Sequence, residues 1–179
     1  RIMSDTAVKR YGEDLAALNT ASNDLIALAS LPEIYEGICR FAEKVFGVWK
    51  ETASTRGTQI VFCDLSTPVE NGRFSVYQDL RRKLIEMGVP VADIAFIHDY
   101  DSDSQKEELF KAVREGRVRV VLGSTQKMGV GTNVQTRLAA LHHLDAPWRP
   151  SDVEQREGRI IRQGNLNEEV RIHRYVTEG

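Results

Sequence analysis

Cysteine is scarce in this sequence: Cys39 and Cys63 are the only two in 179 residues, and they lack the paired spacing of a zinc site or a disulfide framework. Both fall in apolar stretches, one helical and one strand-like, so reduced, buried thiols are expected. Long hydrophobic runs are missing too. None approaches the ~20 apolar residues that span a bilayer, and the N-terminus has no basic region followed by an apolar signal core. A cytoplasmic location without membrane attachment is expected. The net charge is only −2 and the pI near 6.1, so any nucleic-acid contact must come from a local patch and not from a globally basic field. The phosphate loop Gly-x-x-x-x-Gly-Lys-Ser/Thr and its acidic magnesium-binding partner are absent from these residues, so the chain alone is not expected to hydrolyse a nucleoside triphosphate.

What is present reads as ordinary globular protein. With 41% hydrophobic and 28% charged residues a packed core is feasible, and the length suits one domain plus an appendage. Met3 follows Arg1 and Ile2, and the chain stops at Gly179 directly after a strand-like run, as a fragment of something larger would. From Asp5 to about Thr55 the texture is helical: Leu15, Leu18, Leu25 and Leu28 stand at helical spacing until Pro32 interrupts. A second helix from Glu33 carries Ile34, Ile38, Phe41, Val45 and Trp49 on one apolar stripe that must pack on another surface. Thr, Ser and Gly between Glu51 and Gly57 mark a linker. The expected division is a helical extension or linker over 1–56 and an α/β domain over 57–179.

Beyond that linker, apolar runs alternate with amphipathic helices. Strands are expected at Gln59–Cys63, Ile94–His98, Val118–Leu122, Leu138–Leu144 and Val170–Tyr175. Helices are expected over Phe74–Met87 and Ser104–Glu115, and one opens at Ser151. Such alternation predicts a mainly parallel sheet with helices on both faces. Reciprocal capping pairs are expected at Ser104 with Glu107 and Ser151 with Glu154.

In open parallel sheets ligands bind beyond the carboxyl ends of strands, and two stretches there are chemically distinctive. The first runs from Gly123 to Asn133. Gly129 and Gly131 let backbone approach an anion closely, while Ser124, Thr125 and exposed amides supply donors. A tight turn after a buried strand would use the same residues. The second runs from Gln155 to Gly164, where Gln155, Arg159 and Arg162 share one face of a helix at i, i+4 and i+7. Two guanidiniums on one face suit an anion held between them. A solvated basic face paired with Glu154, Glu157 and Glu168 is the alternative. Asp145 suits a turn before Pro147, and Trp148 suits packing under the next helix. His98, His142, His143 and His173 lack metal-site spacing and read as strand or strand-end residues.

Taken in order, Ser124–Gln135, then Asp145-Ala146-Pro147-Trp148-Arg149-Pro150, then Gln155–Gly164 resemble motifs V and VI of superfamily 2 helicases, most closely the Swi/Snf-like branch. Arg149 stands where that branch has Asn, and Asn165 follows Gln163-Gly164, so the remodeller core itself is not matched. The span from Thr58 to Gly179 is similar to the helicase segment of bacterial and phage polyproteins that combine a helicase with an adenine-specific DNA methylase. Gln59–Asp64 would be the motif IV strand.

The resemblance implies a RecA-like second motor lobe of an ATP-dependent DNA helicase or translocase. It further implies that ATP and Mg are bound mainly by a first lobe, that Arg162 is the arginine finger with Arg159 beside it, and that Gln155 orients the nucleotide or the arginines. Gly129, Gly131, Thr132, Asn133 and Gly158 would lie on the nucleotide side. Ser124, Thr125 and Lys127 would meet the DNA backbone, Lys127 being equally readable as a solvated lysine. The implied partners are DNA, the first lobe and a fused methylase domain; the catalytic motif of a methylase, Asn/Asp-Pro-Pro-aromatic, is absent from these residues. A non-catalytic RecA-like scaffold and an RNA helicase lobe are the competing readings.

Overall fold

The strand β1 (Thr58–Phe62) is buried along its whole length, and its side chains alternate between two cores. It is central to a sheet of five parallel strands in the order β2 (Ile94–Phe96), β3 (Val120–Gly123), β1, β4 (Leu138–His143), β5 (Arg171–Arg174). The computed structural model describes residues 31–64, 75–128, 133–144, 157–158 and 163–175. On one face, Val61, Phe96 and Leu122 meet α1 (Leu31–Glu51) through Phe41, Ala42 and Val45, and α2 (Val76–Glu86) through Tyr77, Leu80 and Leu84. On the other, Ile60, Phe62 and Val121 meet α3 (Asp103–Arg114) through Leu109, Phe110 and Val113. The expected parallel α/β sheet covered on both faces is what forms.

The elements begin and end close to where periodicity places them, and the differences have local causes. Pro32 lies in the first turn of α1, where its missing N–H has no intrahelical partner to lose. β3 opens two residues later than expected because the N–H groups of Arg117 and Val118 both turn back to the Ala112 carbonyl, closing α3 before the strand starts. The capping pair of α3 is Ser102 with Gln105, which corrects the expected Ser104 with Glu107. Gln105 N–H donates to Ser102 Oγ at 3.2 Å, and Ser102 N–H donates to Gln105 Oε1 at 3.0 Å. Glu107 instead receives Arg114 Nη2 at 2.6 Å, seven residues along the helix. The Ser151 pair lies outside the described residues. Cys63 is buried as expected, whereas Cys39 on α1 is only half-buried.

Two polar arrangements hold the sheet to α1. At the amino end of the strands, Arg119 is 1% exposed; its Nε donates to Gly57 O at 3.1 Å, and its Nη2 donates to Trp49 O at 2.6 Å and Thr52 Oγ1 at 3.0 Å. The guanidinium also lies over the Trp49 ring, whose Nε1 donates to Asp93 Oδ2 at 2.9 Å. Farther along, His142 bridges three strands and α1. Gln59 Nε2 donates to Val45 O, so Gln59 Oε1 is left to accept from His142 Nε2 at 2.9 Å, and the bare Nδ1 accepts from the Tyr175 hydroxyl at 3.1 Å.

Burial holds the His142 pKa down at about 3, with the charges of His173, His143, Lys44 and Arg171 adding to the effect. An unfolded chain carries this histidine near 6.5 and takes up its proton first, so acid favours unfolding. The stabilisation is complete above about pH 6.5 and is lost as pH falls toward about 3, at about 1.4 kcal/mol per pH unit. Urea unfolding at pH 7.5, 5.5 and 4.5 is expected to follow that slope. His142→Gln, which keeps hydrogen-bonding capacity without a titrating ring, is expected to flatten it.

Candidate functional site

Ligands gather beyond the carboxyl ends of parallel strands because the loops leaving adjacent strands converge there. Here the neighbours β3, β1 and β4 bring three such loops to one edge. After β3 the chain makes a single helical turn: Met128 N–H donates to Ser124 O at 3.0 Å and Lys127 N–H to Ser124 Oγ at 3.3 Å. Gly123 is required beneath it. A Cβ there would come within 2.6 Å of Met128 Cγ and 2.7 Å of Ile97 Cγ2, so a larger residue would push the turn off the sheet. Ser124 and Met128 are buried by this seating, Thr125 is half-buried, and Gln126 and Lys127 are exposed.

Asp64, just beyond β1, fixes the start of that turn. Its Oδ1 accepts from Thr125 N–H and its Oδ2 from the Thr125 hydroxyl, both at 2.6 Å. The sequence reading gave Asp64 no chemical role beyond closing a strand. An acidic residue directly after a fully buried strand, on the edge where ligands bind, was the available signal.

His98 follows β2 in a short 3-10 turn and meets the Tyr77 ring edge-on at 5.3 Å, while the Tyr77 hydroxyl donates to the Cys63 carbonyl. Burial lowers the His98 pKa and the Lys127 ammonium lowers it further, against the opposing pull of Asp99 and Asp64; the ring is neutral at pH 7. Lys127 Nζ stands 3.7 Å from Asp101 Oδ1, and both side chains face solvent. The four histidines are strand or strand-end residues, and among the described residues no three of His, Cys, Asp and Glu cluster as metal ligands.

At the carboxyl end of β4 and β5, Glu157 Oε1 accepts from Arg174 Nη2 at 2.7 Å and lies 3.3 Å from His143 Nε2. Gly158 beside it is helical and exposed. The Asn133 carbonyl accepts from Arg114 Nη1 in the last turn of α3 at 2.9 Å. Gln155, Arg159, Arg162, Gly129, Gly131 and Thr132 fall outside the described residues, as do Asp145 and Trp148.

Residues 43–164 match the family described as helicase conserved C-terminal domain. The chain belongs to that family. It is similar in fold to the helicase MrfA bound to DNA, with a TM-score of 0.54 at 16% identity over 76% of this chain and 18% of MrfA. It is equally similar to the C-terminal part of the Fun30 ATPase domain, with a TM-score of 0.54 at 14% identity over 96% of this chain and 61% of that one. A curated relative, defense against restriction protein B of Escherichia phage P1, is 34% identical over 73 residues, which is 41% of this chain and 3% of the phage protein. The lobe thus spans a small part of the length of the phage protein and of MrfA.

No described helix of the lobe is long and apolar enough to cross a membrane.

Proposed function

We propose that this lobe is the second motor lobe of an ATP-dependent DNA helicase or translocase, with Arg162 as arginine finger, Arg159 beside it, and Gln155 orienting the nucleotide or the arginines. One observation carries the reading. Because β3, β1 and β4 are adjacent, the Ser124–Met128 turn, Asp64 and the segment bearing Glu157 share one carboxyl edge, where a second lobe faces its partner. Complete helicases of this family use ATP with Mg. Here the triphosphate and its metal would sit on a first lobe, with Gly129, Gly131, Thr132, Asn133 and Gly158 on the nucleotide side of this one. Residues 57–179 form the lobe, and residues 1–56 lead into it from the first, with α1 completing the core.

DNA as the track is supported by the likeness to DNA-bound MrfA. The partial match to a phage P1 protein supports placement in a larger phage polypeptide, while a fused methylase domain is proposed on the sequence resemblance of Thr58–Gly179 alone. Ser124, Thr125 and Lys127 are the proposed backbone contacts, and Asp64 sets a condition on them: both Thr125 donors are already engaged by a carboxylate that repels phosphate. Asp64→Asn in the two-lobe protein is therefore expected to strengthen DNA binding several-fold at low salt, and Lys127→Ala to weaken it, both measured by fluorescence anisotropy. Unchanged affinity in the Asp64 variant would remove Thr125 from the contact set.

The deciding experiment is DNA-stimulated ATP hydrolysis by a protein joining this lobe to its first lobe, wild type against Arg162→Ala. Loss in the variant supports the motor reading. Undiminished hydrolysis would favour a RecA-like scaffold that uses its arginines in salt bridges.

A further inference from the structure

The amino ends of β3, β1 and β4 lie side by side, and arginines stand just before each strand: Arg117 and Arg119 before β3, Arg56 before β1 and Arg137 before β4. Arg56 and Arg137 are seated on one turn between α3 and β3. Arg56 Nε donates to Gly116 O at 2.8 Å, Arg137 Nε to Arg114 O at 3.1 Å, and Arg137 Nη1 to Thr55 O at 2.7 Å. A Cβ at Gly116, which takes φ +73°, would come within 2.7 Å of Arg56 Cβ and 3.2 Å of Arg137 Cδ, so the two side chains flank one glycine. Carbonyl partners hold these guanidiniums in place without neutralising them.

The carboxylates at hand do not balance that charge. Asp93 is shared by Arg56 at 3.7 Å and Arg119 at 4.0 Å, Glu107 is taken by Arg114 and Glu115 by Arg117, and Arg137 makes no ion pair among the described residues. Five guanidiniums therefore share three carboxylates, in a chain whose net charge is −2. Like charges gathered at one edge repel, and an anion in front of them relieves the repulsion.

The surroundings select the kind of anion. Ser54, Thr55 and Arg56 are exposed, and Gln135, Thr136 and Arg137 are half-buried. No large apolar side chain is exposed in these two segments or in residues 114–119. Guanidiniums among hydroxyls and amides are the donors that meet a sugar–phosphate backbone, whereas a protein interface adds an apolar centre.

We propose that Arg56 and Arg137, with Ser54 and Thr55 beside them, form a second nucleic-acid site on this lobe, which takes the phosphate backbone at the amino edge of the sheet. The five residues of β1, about 17 Å of strand, separate it from Ser124, Thr125 and Lys127 on the carboxyl edge. A further stretch of nucleic acid fills it, and the site does not depend on ATP hydrolysis or on the motor reading.

The test is fluorescence anisotropy of a labelled DNA duplex titrated with the 179-residue chain at several salt concentrations. Wild type is compared with Arg56→Gln/Arg137→Gln, Ser54→Glu, Ser54→Lys and Lys127→Ala. The double variant is expected to bind about tenfold more weakly at low salt and to reduce the slope of log K against log salt by about 2, since each lost phosphate contact removes about 0.9. Its effect is expected to add to that of Lys127→Ala, the two edges being independent. Ser54→Glu and Ser54→Lys change the charge beside the pair while leaving its hydrogen bonds intact, and are expected to weaken and strengthen binding several-fold. They decide the outcome if the double variant has a lowered thermal midpoint. Wild-type affinity and slope in a double variant that keeps its thermal midpoint would overturn the site, as would equal affinities in the two Ser54 variants. In the Lys127→Ala background, displacement of the duplex by poly-glutamate at a lower charge concentration than by unlabelled duplex would assign the patch to an acidic protein segment instead. Displacement by inorganic phosphate at the same phosphate concentration as unlabelled duplex would reduce it to a small-anion site.

Discussion

Replacing Arg162 with Ala in the two-lobe protein is expected to cut DNA-stimulated ATP turnover by about a thousandfold or more while ATP affinity changes by no more than a few fold. The reason is where charge builds. On the motor-lobe reading, the ground-state triphosphate would already be held by a first lobe and Mg. The charge that appears on the transferred group in the transition state has to be met by a cation from across the cleft. A guanidinium that is close only when the lobes shut contributes to the transition state and little to ground-state binding, so its loss appears in kcat. Arg162→Lys is expected to recover only part of the activity, since an ammonium lacks the planar fork that spans two phosphate oxygens. The measurement is kcat and KM from coupled ATPase assays, with nucleotide affinity taken separately from a fluorescent analogue. Equal loss of binding and turnover would remove the finger role from Arg162 and assign it to ground-state nucleotide binding.

The second large effect concerns folding. Arg119→Ala is expected to destabilise the chain by about 3–5 kcal/mol in chemical unfolding, because it strips a buried ion-pair network of its cation. Asp93 would be left at 5% exposure, with its nearest remaining cation, Arg56 Nη2, at 3.7 Å and half-exposed. The Gly57 carbonyl and the Thr52 hydroxyl would each lose a donor, and the Trp49 ring would lose the guanidinium that covers it. All these groups cluster where the strands begin, at the opposite edge from Asp64, Thr125 and Glu157. Whatever folded Arg119→Ala protein remains is therefore expected to keep its KM for ATP. A loss below 1 kcal/mol would show that the network is replaceable by water.

Arg119 also illustrates what a linear reading misses. In Arg117-Val118-Arg119-Val120 the arginines alternate with valines, which is the pattern of a half-exposed strand with basic residues facing water. Arg119 is instead fully covered, because the end of α1 folds back over the start of β1 and offers it two carbonyls, a hydroxyl and an aromatic face. The capping of α3 was misplaced for a related reason. Two overlapping Ser-x-x-Glu/Gln patterns occur in Asp101–Glu107, and local chemistry does not rank them. Asp64 and Glu157 are single carboxylates whose partners lie far along the chain, 61 residues away for Thr125, just past β3, and 17 for Arg174 on β5.

The sequence by itself determined the class of fold, the order of its strands and helices, and the family. These follow from the alternation of apolar period and from ordered motifs, both of which are local along the chain. The tertiary structure alone decided which polar side chains are buried and which loops meet: Arg119 under α1, His142 between Gln59 and Tyr175, Asp64 on Thr125, and Glu157 on Arg174. Those pairings depend on strand order, which sets β1 between β3 and β4, and no spacing within a single segment encodes that neighbourhood.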